Sequence, residues 1–145
     1  MIFDRAMVVK QDGLEKRIAF EARRISSQHR QLDAFHELVA RALEAGDPTA
    51  VLAAFTRFRD ALEAHFAMED DVFFPALHGL RPELESELTA LVQQHHALRA
   101  QLVRVQELFD AERIGDGGRV LDAMVDVLIE HETREERLQA GVQRR

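Results

Sequence analysis

Residues 51–72 read VLAAFTRFRDALEAHFAMEDDV. Within them Val51, Phe55, Phe58, Leu62, His65, Glu69 and Val72 recur at alternating intervals of four and three, the period of one buried helix face. That face closes on His65-Phe66-Ala67-Met68-Glu69, which sets an imidazole and a carboxylate one turn apart, where both can reach a single ion.

Working outward, Gly46-Asp47-Pro48 supplies the start of this helix and the end of the one before it: Gly past a C-terminus, Asp as N-cap, Pro at the first helical position. Upstream, Leu14, Ile18, Ala22, Ile25, His29, Leu32, His36, Val39 and Leu43 form a helical stripe. Downstream the pattern runs out over Pro75 to Gly79, and Pro82 opens a third helix with the seam Leu84, Leu88, Leu91, His95, Leu98, Leu102, Val105 and Phe109. Gly115-Asp116-Gly117-Gly118 is expected to break it, with Asp116 as N-cap of a fourth helix carrying Leu121, Met124, Leu128, His131, Glu135 and Leu138. No stretch alternates with period two. The expectation is an all-α protein, an up-down-up-down four-helix bundle over residues 14–145 with a left-handed twist, preceded by a short N-terminal arm at residues 1–13.

The chain has 145 residues, the size of one domain with a full core. A net charge of -7 argues against a nucleic-acid surface. The absence of cysteine removes disulfides, thiolate zinc sites, cysteine-ligated iron–sulfur clusters and thiol nucleophiles together. No apolar run approaches the roughly 20 residues that span a bilayer, and Asp4 and Arg5 interrupt the apolar N-terminus, which lacks a signal-peptide core. A cytoplasmic protein is expected, with neither nucleic acid nor membrane as partner, acting on an ion or a small ligand.

The His-x-x-x-Glu pair returns 66 residues later as His131 and Glu135, and His29 is answered by His95 at the same interval. The helix lengths make the four histidines level. His29 lies 17 residues before Gly46 and His65 lies 18 after Asp47, so both stand about 25 Å from that turn at a rise of about 1.5 Å per residue. The count from the other connections brings His95 and His131 to the same height within about a turn. Glu69 and Glu135 then face each other from opposite helices, which requires a cation between them. Two divalent metals would use the whole set of His29, His65, Glu69, His95, His131 and Glu135, sharing both carboxylates and leaving room for a bridging oxygen. Imidazole with carboxylate suits iron best, with manganese or zinc as alternatives.

Other polar residues take plainer readings. His96 lies off the seam and reads as a solvated flank, His36 as a packed histidine near the bundle end, His78 as an exposed loop residue. Asp70, Asp71, Glu132 and Glu136 read as outward and solvated, with room for a role behind the ligands. The phenylalanines read as core.

The residues Gln28-His29-Arg30-Gln31-Leu32, His65-Phe66-Ala67-Met68-Glu69 with the Phe73-Phe74-Pro75 exit, His95-His96-Ala97-Leu98 and His131-x-x-x-Glu135 resemble the hemerythrin-like, or HHE cation-binding, domain over roughly residues 14 to 140. The resemblance implies a non-haem di-iron centre of the Fe-O-Fe type, with the same six residues as ligands. Oxygen-carrying members have a further histidine where this chain has Leu91, and they space the last carboxylate differently. The Glu135 spacing looks more like the bacterial iron-centre repair proteins and the iron-sensing members, although the cysteine-bearing extension of the former is missing. With Ile25 and Leu91 at the height of the glutamates, an open coordination position facing an apolar wall is expected, suited to O2, NO or peroxide. The leading expectation is a protein that binds or senses such a ligand or holds releasable iron; a di-iron oxidase or peroxidase and a structural metal-binding bundle stand beside it. A homodimer is compatible with the sequence.

Overall fold

The computed structural model describes residues 11–143, and residues 1–10, most of the expected arm, lie outside the described residues. Helix α1 spans Gln11–Ala45, so it begins ahead of the expected Leu14. It ends at Gly46, whose φ of +66° is the left-handed conformation that a side chain disfavours. Asp47 then accepts from the backbone N–H of Thr49 at 3.1 Å and of Ala50 at 3.3 Å, and Pro48 opens α2 (Pro48–Met68).

The end of α2 departs from expectation. The chain does not leave the helix at Pro75 but passes through a π turn at Glu69–Phe73 into a short helix α3, Phe74–Leu80. Proline lacks the N–H that would continue an α ladder, and the wide turn, in which the Phe74 N–H bonds to the Glu69 carbonyl, places Pro75 in the first turn of a new segment that needs no such donor. The extra residue also shifts the face. Phe73 is buried where a regular helix would have turned Val72 inward, and Val72 is only half-buried.

Arg81 leaves the helical conformation, a single 3₁₀ turn follows at Pro82–Leu84, and α4 spans Glu85–Asp110. The connection to α5 (Ile114–Gln143) is at Ala111–Arg113, not at the glycine cluster. Those glycines lie inside the first turns of α5, and two of them pack closely: a Cβ on Gly117 would come within 2.5 Å of the Phe109 ring, and one on Gly118 within 3.3 Å of Leu43. Asp116 accordingly is not an N-cap. It sits in the first turn and pairs with Arg113 at 2.6 Å and with Arg119.

Helix α1 packs against α2 and α5, and α4 packs against α5 and α2, closing an all-α bundle. Among the described residues its interior forms two apolar clusters. One holds Leu32, Phe55, Phe58, Leu62, Phe66, Leu98, Leu102, Phe109 and Met124. The other holds Ile18, Ile25, Phe73, Phe74, Leu77, Leu88 and Leu91. Along α1, Ile25 belongs to one cluster and Leu32 to the other, with His29 between them; along α4 the same holds for Leu91, His95 and Leu98. A polar layer therefore divides the core. Among the described residues no helix is long and apolar enough to cross a membrane.

Candidate metal centre

That layer is built from His29 on α1, His65 on α2, Glu69 at the head of the π turn, His95 on α4, and His131 with Glu135 on α5; none is more than 5% exposed. They form two overlapping groups, His29, His65, Glu69, Glu135 and Glu69, His95, His131, Glu135, each with donor atoms within 4.8 Å of one another. Both glutamates belong to both groups. Nε2 of His65 and of His95 approach Glu69 Oε1 at 3.2 and 3.1 Å, and Nε2 of His131 approaches Glu135 Oε1 at 3.2 Å. His29 Nε2 stands 3.9 Å from the same Glu135 oxygen.

The outward nitrogen of every ring meets an oxygen. His65 Nδ1 lies 2.7 Å from Gln28 Oε1, His131 Nδ1 2.6 Å from Gln94 Oε1, His95 Nδ1 2.7 Å from Asp70, and His29 Nδ1 3.2 Å from both Glu132 and Glu136. The Gln28, Gln94, Asp70 and Glu136 oxygens only accept, so each Nδ1 carries the proton and donates. Each Nε2 is left with a lone pair aimed at the interior, the tautomer and orientation that a metal ligand needs.

The interior itself lacks donors. His29 Nε2, His65 Nε2 and all four carboxylate oxygens of Glu69 and Glu135 are buried without a hydrogen-bond partner among the described residues. His95 Nε2 and His131 Nε2 face each other at 3.0 Å. Lone pairs converging in this way are destabilising unless a positive charge sits among them. The donor set thus fits one or two imidazole- and carboxylate-seeking cations. Imidazolium protons are the other positive charge that Glu69 accepts: burial opposes its ionisation, yet attraction to protonated His65 and hydrogen bonds from His65 and His95 bring its pKa down to about 2. Burial, reinforced by the neighbouring His95, brings His131 down to about 4, leaving it neutral with its lone pair available.

The hemerythrin HHE cation binding domain matches residues 22–140. The chain belongs to the hemerythrin family. It is a metal-binding protein whose cofactor is a metal held among histidines and glutamates. No curated protein and no solved structure matches the chain.

This hemerythrin-family centre has a repeat deeper than its ligands. Gln28 and Gln94 are 66 residues apart, as are Asp70 and Glu136, the interval that also relates His29 to His95 and Glu69 to Glu135. The residues behind the rings are therefore duplicated with the rings. The interval was the signal that could have exposed Gln28 and Gln94, which periodicity alone passes over because they lie beside the seam.

The halves differ in what covers them. Phe66 stacks on His95 with ring centres 4.2 Å apart, Phe74 stacks on it at 5.6 Å, and Arg99 reaches Asp70 at 3.4 Å and Glu63 at 3.0 Å. At the same interval from Phe66 stands Glu132, and Arg99 is answered by Asp33. Glu132 is not solvated as expected but buried beside His29, and burial with the charges of Asp33 and Glu136 pushes its pKa up to about 8. His78 is likewise buried on α3, 3.9 Å from Glu85, because the helix that was expected to have ended continues through it. Asp71 and His96 are exposed, and His36 is half-buried with its ring 6.0 Å from Phe58.

Proposed function

We infer that the chain holds two iron ions, one in each group, with His29, His65, Glu69, His95, His131 and Glu135 as the ligands, and that the centre binds or senses O2 or NO. The observation that carries this reading is the set of buried, donorless carboxylate oxygens and inward Nε2 lone pairs, each ring held from behind by its own acceptor. Bound iron would supply reversible coordination and one-electron chemistry; the chain supplies the geometry and a water-poor surround. Six protein side chains are few for two ions that favour octahedral shells, and the walls at Ile25 and Leu91 are fully buried and apolar, which favours a vacant position for a small uncharged ligand.

Two measurements test it. Elemental analysis of protein produced with ample iron should give two iron atoms per chain. Anaerobically reduced, iron-loaded protein should develop a new visible absorption band on exposure to O2 or NO; loaded protein that is spectrally silent to both gases would sink the reading. Glu69→Ala should abolish most of the metal content while His96→Ala leaves it unchanged, and equal losses would overturn the choice of ligands.

A further inference from the structure

The 66-residue interval that relates the candidate ligands breaks at the side chains around Arg99, which stands one turn after His95 on α4. Its guanidinium bonds to Asp70 at 3.4 Å and to Glu63 at 3.0 Å, and it lies over the Phe66 ring, 5.3 Å from the ring centre. Asp70 in turn accepts from His95 Nδ1 at 2.7 Å, and Phe66 stacks on the same imidazole. Arg99 therefore touches two of the groups that hold His95. At the same interval the His29 half has Asp33 for Arg99, Glu132 for Phe66 and Ala140 for Phe74.

A cation and two aromatic rings in one half thus answer to two acids and an alanine in the other. Behind His95 the charge of Asp70 is offset by Arg99. Behind His29 the Glu136 carboxylate stands 3.2 Å from Nδ1, and Asp33 joins it along the same cleft. Arg30 lines that cleft too, but it is exposed and pairs with neither acid among the described residues, so water screens its charge more than that of a guanidinium bonded to Asp70. An added positive charge is disfavoured beside a cation and apolar cover and favoured beside acids, which is how a protein sets the potential of a bound metal.

Resting on the two-iron reading above, we propose that Arg99, acting through Asp70, keeps the ion of the His95–His131 group ferrous, so that the ion of the His29–His65 group is oxidised first. Starting from two ferrous ions, one electron leaves the His29–His65 ion and then one leaves the His95–His131 ion, each passing to an external one-electron acceptor. Between the two steps the centre holds one ferric and one ferrous ion.

Ferricyanide titration of reduced, iron-loaded protein, followed by electron paramagnetic resonance, should show two resolved steps. Arg99→Gln removes the cation and should make the second step easier, raising the ferric-to-ferrous ratio at a fixed potential by about 3- to 10-fold, the effect of one partly screened unit charge. Arg99→Lys keeps the charge and should stay close to the wild type. Asp33→Asn, a surface change, should act on the first step and make it harder. The proposal is overturned if Arg99→Gln or Asp33→Asn moves the other step or neither step. An equal shift in Arg99→Gln and Arg99→Lys also overturns it, because Arg99 would then only tie α2 to α4. A wild type that holds two irons, responds to O2 or NO and yet loses both electrons in one step would sink this inference and leave the reading of the centre standing. A wild type without two irons would end both.

Discussion

At the scale of single residues, the determining feature is that every candidate histidine ligand is held by a second residue. Nδ1 of His65 and of His131 each donates to a glutamine oxygen, so the side chain of Gln28 or Gln94 sets the ring's tautomer and its aim. Gln28→Leu and Gln94→Leu should each weaken metal affinity about 10- to 100-fold, the usual effect of removing a partner behind a metal-bound histidine. Competition with a calibrated chelator measures this, and unchanged affinity in both variants would show that the rings are aimed by packing alone. The ligand candidates themselves were legible in the sequence because helical periodicity and the 66-residue interval both singled them out. Glu132 was not, because a position one residue past a seam histidine normally faces water. Here it turns toward His29, 3.2 Å from Nδ1, and is buried between α1 and α5.

At the scale of elements, connections read well where turn chemistry is specific and poorly where it is not. Gly46-Asp47-Pro48 admits one reading, and the backbone follows it. The glycines of 115–118 admit two, chain break or close approach, and only the position of Phe109 on the preceding helix decides for the second. Gly117→Ala should destabilise the protein by about 1–3 kcal/mol, since its methyl group would be driven into the buried Phe109 ring, which packs edge-on against Phe55. Thermal denaturation followed by circular dichroism checks this, and a melting temperature equal to the wild type's would mean that α5 can slide away from α4. The π turn was illegible for a related reason. Periodicity assumes one hydrogen-bond pattern throughout, and it carried the stripe to Val72 when the chain had already gained a residue at the turn that begins with Glu69.

At the scale of the whole molecule, two apolar clusters are joined through a layer of convergent lone pairs, so the bundle has a built-in weakness that the metal relieves. Metal present at about 1,000 times its dissociation constant adds about 4 kcal/mol, which for a domain of this size raises the melting temperature by roughly 10 °C. The metal-free protein should also respond to pH in a way that isolates Glu132. Its pKa is raised from 4.5 to about 8 in the folded chain, by burial and then by Asp33 and Glu136, so the stability it contributes is fully present below about 4.5 and is lost as pH rises through about 8. His29 and His131 act in the opposite sense: burial lowers both from 6.5, so their contribution is complete above that value and is lost only toward acid. His95, whose burial is outweighed by Asp70 and Glu69, has its pKa raised and falls in the same direction as Glu132. Comparing wild type with Glu132→Gln removes the histidines from the difference. Between about pH 6.5 and pH 8.5 the metal-free wild type should lose melting temperature faster than the variant, and curves that stay parallel across that window would mean that Glu132 is already ionised at neutral pH in the fold.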